Sequence, residues 1–258
     1  MADAKALDGR VGLITGAAGS IGCATAHAMG RAGACLVLAD RDGEGLERVA
    51  AELEHSAPGR VATLAGDAGA SGHVAAAVAL AVQRFGGLDV AFANAGIFGA
   101  LAPITDYPED TFAEVMRVNV GGAFLLCKHA LATMRDRGSI IINSSVVGLT
   151  SDPGICAYAV SKHALVGLMR TAMKEAAPRG IRVNTVHPGP TDNDFQHRIE
   201  TTVTGRDEAR ATAAFDEMIP LARHATPDEV AATVTFLAGP GAGFITGATV
   251  AVDGGMSV

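Results

Sequence analysis

In the segment Tyr158-Ala-Val-Ser-Lys162 a phenol and an ammonium stand four residues apart. In a helix that spacing brings both side chains to one face, so the amine can sit beside the phenol oxygen. Ser145, thirteen residues before the tyrosine, supplies a hydroxyl able to hold a substrate oxygen while charge develops on it. A free tyrosine has a pKa of about 10, and lowering it by roughly three units takes about 4 kcal/mol of preference for the phenolate. A unit positive charge about 4 Å away at an effective dielectric of about 20 supplies roughly that much, so Lys162 is sufficient in principle. The expected chemistry is proton transfer between Tyr158 and an oxygen. Taken alone, the pair reads first as two surface neighbours, and only the rest of the chain changes that reading.

A second constellation lies near the start, where Thr15-Gly16-Ala-Ala-Gly19-Ser20-Ile21-Gly22 follows a β-branched run and opens a helical stretch. Glycines there permit a sharp turn and close backbone approach, and the free amides of the helix start suit a pyrophosphate. An ordinary loop between strand and helix could read the same way. Eighteen residues after Gly22, however, the next apolar run ends in Asp40, close to where a dinucleotide fold places an acid on the adenosine ribose. Asp40 can accept both ribose hydroxyls, and its charge repels a 2′-phosphate. Arg41 could pair with such a phosphate, but the glycine turn offers no Lys or Arg to assist it. NAD is therefore the expected cofactor.

The elements that must position these groups follow from an alternation of short apolar runs with longer helical periods, the mark of repeated βαβ units. Strands are expected at 10–15, 34–39, 61–65, 88–93, 138–143, 180–186 and 248–252. Helices are expected near 20–32, 43–54, 70–85, 108–134, 156–178 and 226–238, with a polar, helix-prone, loosely patterned stretch at 190–220. The expected fold is α/β: one domain over 1–258, a seven-stranded parallel sheet, doubly wound, with helices on both faces. A composition with 49% hydrophobic residues, 32 glycines and 4% aromatics fits a large core built on small-residue contacts. The net charge of −7 leaves nothing to neutralise nucleic acid or an anionic membrane, so neither is an expected partner. Val230 to Val252 carries no charge and is long enough to span a bilayer, but five Gly or Pro residues break it. The opening ten residues carry four charges, and a cytoplasmic location is expected. Cys23, Cys35, Cys127 and Cys156 lie far apart with no Cys-x-x-Cys pair and read as buried thiols. No catalytic metal is expected, and His163 and His187 read as packing or loop residues.

The sequence resembles the short-chain dehydrogenase/reductase family from about residue 8 to the end. The resemblance rests on Thr15 to Gly22, Asp67, Ala93-Asn94-Ala95-Gly96, Asn119-Val-Gly, Ser145-Val-Val-Gly148, Tyr158-x-x-x-Lys162, His187-Pro188-Gly189 and Val252-Asp253-Gly254-Gly255. It implies a Rossmann-type fold and hydride transfer, with Asn119, Ser145, Tyr158 and Lys162 as a catalytic tetrad. Asn119 would hold a water in a proton path toward Lys162; the alternative is a helix-kink residue satisfying its own backbone. The implied cofactor site comprises Gly16, Gly19, Ser20, Ile21, Gly22, Asp40, Arg41, Asp67, Ala68, Asn94, Ala95, Gly96, Tyr158, Lys162, Pro188, Gly189, Thr191 and Asn193. Two positions depart from the family pattern. Ser20 stands where a glycine is usual, with Gly19 one place earlier, which suggests a local shift of the turn. Asn193 stands where a threonine is frequent, with Thr191 two places before it, and either could meet the carboxamide.

Substrate contacts are expected from Phe98, Ser145, Val147, Ile155, Tyr158 and Phe195, with Leu101, Met218 and Ile219 nearby. This apolar lining suits an uncharged secondary alcohol or its ketone, under a lid formed by 190–220. Two rivals stand beside it. One is a reductase of 3-oxoacyl thioesters, for which Arg198, Arg206 and Arg210 could receive a phosphorylated arm; the other is a non-catalytic NAD-sensing protein. The helical stretches 112–134 and 157–173 are apolar on more than one face, and with the resemblance they imply a homo-oligomer, dimer or tetramer.

Overall fold

The computed structural model describes residues 5–56 and 58–258; residues 1–4 of the charged opening stretch lie outside the described residues. All seven expected strands form: β1 Val11–Thr15, β2 Cys35–Asp40, β3 Val61–Ala65, β4 Val90–Ala93, β5 Ser139–Asn143, β6 Arg182–Pro188 and β7 Thr249–Val252. They make one parallel sheet in the order β3-β2-β1-β4-β5-β6-β7. The runs are near-continuously apolar because both faces are covered. Successive side chains go to opposite sides, Leu13 and Ile140 into one core and Ile14 and Ile141 into the other.

The helices α1 Ser20–Arg31, α2 Gly43–Ser56 and α3 Ser71–Phe85 follow the first three strands. Next come α4 Glu109–Val115, α5 Gly122–Thr133 and α6 Cys156–Ala176. The first core packs α3, α5 and α6 on one face of the sheet, and the second packs α1, α2 and α9 (Pro227–Ala238) on the other. The strand order reverses between β1 and β4, which opens a crevice at the carboxyl ends of the strands. At the opposite end the buried carboxylate of Asp89 accepts from the Val11 amide at 2.9 Å and pairs with Arg10 and Arg135, tying β1 to the start of β4.

One expectation is corrected and another made definite. The helix expected over 108–134 is interrupted by a π turn at Met116–Gly121, because Asn119 in that turn reaches out to the backbone of Ile97 instead of leaving its own turn regular. The stretch at 190–220 contains two defined helices, α7 Asp194–Thr204 and α8 Glu208–Asp216. Asn193 and Asp207 cap them by accepting from the amides three residues on. Several large apolar side chains face outward, among them Phe124 and Phe236, each 50% exposed, and Val160 and Phe244. Among the described residues no helix is long and apolar enough to cross a membrane.

Candidate active site

A cleft of about 480 Å³ runs along the carboxyl ends of β1, β2, β4, β5 and β6. At one end Gly16, Gly19, Ser20 and Ile21 form its floor. Gly16 has φ +67°, and a side chain there would meet the Ala95 backbone at 2.9 Å. Gly22 does not line the cleft: a Cβ on it would lie 2.1 Å from the Gly16 carbonyl, so this glycine lets α1 pass close under the turn. Gly19 is the N-cap of α1, no side chain caps that helix, and no acid occupies its first turn. The first amides of α1 are left for an anion in the cleft. Ser20 begins the helix with its side chain exposed at the cleft.

Asp40, at the end of β2, is fixed in place by its own loop. Its Oδ2 accepts from the Ala18 amide and its Oδ1 from the Asp42 amide, each at 3.0 Å, while the carboxylate faces the cleft beside Arg41. Asp67 and Ala68 line the same end. Asp67 accepts from the Gly69 amide, which holds its carboxyl below the usual carboxylate range, and it receives Arg117 Nη1 at 2.7 Å. Arg117, Glu114 and His73 complete this wall; none of them was expected from the sequence. Arg117 belongs to the π turn, and only the fold brings it to Asp67.

In the middle, Asn94, Ala95 and Gly96 follow β4. Thr15 Oγ1 accepts from the Asn94 and Ala95 amides, Asn94 Nδ2 donates to the Gly16 carbonyl, and Asn143 Nδ2 donates to Asn94 Oδ1. Asn143 also lines the cleft, and its Oδ1 is buried without a partner. At the far end stand Pro188, Gly189, Thr191 and Asn193. The Thr191 hydroxyl donates to the Gly189 carbonyl, and Asn193 Oδ1 is occupied by the Gln196 amide in capping α7.

Ser145, Tyr158 and Lys162 converge on the cleft between these ends. Lys162 Nζ donates to the Asn143 carbonyl at 2.9 Å and lies 5.4 Å from the Tyr158 ring centre. The charge balance differs from the sequence expectation. Burial pushes the Tyr158 phenol up to about 12, against a smaller opposing effect of its hydrogen bond with Ser145, and burial draws the Lys162 ammonium down to about 8. Desolvation is the dominant cause for both groups. Asn119 is 1% exposed and does not line the cleft. Its Oδ1 accepts from the Ile97 amide at 2.8 Å, and its Nδ2 donates to the Ile97 carbonyl and to Ser161 Oγ. It satisfies the loop after Gly96 rather than its own helix.

His187, read as a packing or loop residue, lies buried under Ser145. Its Nδ1 donates to the Ser145 carbonyl at 2.8 Å, its Nε2 faces Thr185 Oγ1, and burial lowers its pKa. No local pattern in the sequence signals that role. Of the expected substrate residues, Phe195 lines the cleft, while Phe98 does not line it and instead packs its ring 5.3 Å from that of Tyr158. Val147 and Ile155 do not line it: the Val147 amide is turned to Ser145 Oγ, and Ile155 is buried in a bridge to Ala102. Leu101 and Met218 also stay outside, and Ile219 borders a separate hollow of about 140 Å³. Arg198, Arg206 and Arg210 are exposed and do not reach the cleft.

Cys23, whose thiol is raised by burial, stands with His27 and Glu52 in a group of potential metal ligands away from the cleft. The 2.9 Å contact between His27 and Glu52 gives two of the three a partner already. All four cysteines are free thiols, but only Cys127 is fully buried; the other three are half-buried.

A family model described as enoyl-(acyl carrier protein) reductase matches residues 16–257. The 3-oxoacyl-[acyl-carrier-protein] reductase FabG of Thermotoga maritima is 36% identical over 256 residues, 98% of this chain and 99% of that protein. The crystal structure of levodione reductase superposes with a TM-score of 0.92 at 32% identity, covering 97% of this chain and 98% of that one. A blue fluorescent protein from a metagenomic library, solved in complex with NADPH, gives a TM-score of 0.88 at 31% identity, covering 98% and 99%.

Proposed function

The chain belongs to the short-chain dehydrogenase/reductase family and is a hydride-transferring oxidoreductase, and from that premise we propose that it works with NAD on an uncharged, largely apolar secondary alcohol or its ketone. The observation that carries this reading is the convergence of Ser145, Tyr158 and Lys162 on a cleft whose other end presents the fixed carboxylate of Asp40. The cleft fits a dinucleotide: the α1 amides have no capping side chain, and Asn143 Oδ1 is a buried acceptor lacking a donor. A nicotinamide cofactor bound there would supply the carbon that gives or takes the hydride.

The chain's own residues handle the rest. Backbone amides at Ser20 and Ile21 would hold the pyrophosphate, Asp40 would accept the ribose hydroxyls, and Asn94 keeps the floor rigid through Gly16 and Asn143. Ser145 orients the substrate oxygen, with its backbone braced by His187. Tyr158 gives a proton to that oxygen in reduction and takes one in oxidation, and Lys162, anchored on the Asn143 carbonyl, sets its ammonium 5.4 Å from the phenol ring centre. Asn119 shapes this wall by fixing Ile97.

Phe195 offers the cleft an apolar side chain, Phe98 packs on the Tyr158 ring, and no arginine outside the Asp67 pair enters the cleft apart from Arg41. A 3-oxoacyl-thioester reductase remains the second reading, supported by the 36% identity to such an enzyme. It needs a cationic landing site that Arg198, Arg206 and Arg210 do not provide at the cleft. The discriminating experiment is a reduction and oxidation screen with NAD and NADP over secondary alcohols, ketones and acyl thioesters. The same reading includes a cytoplasmic homo-oligomer.

A further inference from the structure

Charged groups of α7 and α8 point inward, toward one another. Glu200 on α7 is fully buried, at 0% exposure. Its Oε1 lies 2.6 Å from His224 Nε2 and accepts from Gln196 Nε2 at 2.9 Å, while its Oε2 is buried with no partner. The other ring nitrogen, His224 Nδ1, lies 2.7 Å from Asp216 Oδ1 at the end of α8. One imidazole thus ties α7, α8 and the segment that leads into α9. Only the cationic ring donates from both nitrogens, so a neutral ring would leave one carboxylate facing a lone pair. Gln196, which shares Glu200 Oε1, lines the cleft together with its neighbour Phe195.

We propose that the Glu200–His224–Asp216 bridge is a positioning device that holds the first turn of α7, with Phe195 and Gln196, over the substrate end of the cleft. It rests on the reading of that cleft as a dehydrogenase site, with 190–220 as its lid. Removing the bridge would leave the sheet intact and loosen the cover.

Several charged groups surround the ring. Glu200 faces it from α7 and Asp216 from α8; His197 of α7 lies 6.3 Å away ring to ring and is itself near Asp192 and Glu208. On its own segment Arg223 donates to the His224 carbonyl and pairs with Glu229 in the first turn of α9. Burial opposes the charge on His224, but the hydrogen bonds and charges of Glu200 and Asp216 outweigh it, and its pKa stands above the ordinary value. The bridge is therefore complete below about pH 6.5, the ordinary histidine pKa, and is lost as pH rises through the raised folded value.

Hydrogen exchange read by mass spectrometry on the full chain, for wild type, His224→Gln and Asp216→Asn, tests this without requiring turnover. At pH 6 peptides covering 194–216 exchange at least tenfold faster in His224→Gln, and less so in Asp216→Asn, while β1 and β4 keep their protection. After correction for intrinsic exchange the difference narrows at pH 9. In the same variants KM for the accepted alcohol rises more than kcat falls. Unchanged protection of 194–216 at pH 6, or equal loosening of the whole sheet, overturns the proposal. Should His224→Gln fail to fold, Asp216→Asn decides by the same criteria, since Asp216 is partly exposed. Faster exchange of 194–216 in a protein that oxidises no alcohol would keep the bridge and remove the dehydrogenase reading.

Discussion

At the scale of single residues, the proton chemistry follows from desolvation. With the Tyr158 phenol pushed up to about 12, it is protonated at neutral pH, the form that gives a proton to a carbonyl oxygen. Reduction should therefore hold level through neutral pH and fall in alkali, while oxidation, which needs the phenolate, should climb with pH across 7–10; steady-state rates in both directions check this. Tyr158→Phe should retain no more than a few per cent of turnover while keeping the far-ultraviolet circular dichroism of the folded chain. Asp40→Ala removes a pre-aligned carboxylate and should raise KM for NAD by roughly tenfold or more, narrowing the gap to NADP. That Tyr158, Lys162, Ser145 and Asp40 share one cleft was legible because their placement depends on spacing along one helix or at a strand end. His187 and Arg117 were not legible, because each acts on a partner brought near by the fold, 42 and 50 positions away in the chain. The sign of the Tyr158 shift was also missed: pairwise Coulomb arithmetic omits the cost of burying both groups.

At the scale of elements, the strands and most helices could be read from apolar period, since both faces of a covered parallel sheet demand unbroken apolar runs. The π turn at Met116–Gly121 escaped notice because a widened turn keeps a helical composition, and only the contact of Asn119 with Ile97 reveals it. Asn119→Ala strands the Ile97 amide and carbonyl, a loss of about 1–3 kcal/mol. Its unfolding midpoint in urea should drop accordingly, and turnover should fall with it. Asp89 is the counterpart at the other end of the sheet. Asp89→Ala leaves the Val11 amide unpaired and frees two arginines that can still reach water, so a loss of about 2 kcal/mol is expected, below the 3–5 typical when a buried charge is stranded. The 190–220 stretch read as helix-prone, but the bounds of α7 and α8 were not legible, because they are set by caps at Asn193 and Asp207 and by the charge pairs of His224, none of which shows as hydrophobic period.

At the scale of the whole molecule, the cleft runs along the carboxyl edge of one doubly wound sheet, and the helices that cover the sheet bring Tyr158, Lys162 and Arg117 to it, so fold and site are a single construction. Half-exposed Phe124 on α5 and exposed Val160 on α6 leave an apolar face on the helices that also cover the sheet. Light scattering on dilute protein should give twice or four times the 26.1 kDa chain mass, and the chain mass alone would refute the homo-oligomer. The central claim is NAD-dependent hydride transfer with Tyr158 as the proton group, and it is tested most directly by absorbance at 340 nm. Wild-type protein mixed with NAD and a panel of uncharged secondary alcohols should give a rise with at least one member, strongly reduced with NADP and absent in Tyr158→Phe. No rise with any alcohol, a rise confined to acyl-thioester substrates, or a rise undiminished in Tyr158→Phe would contradict it.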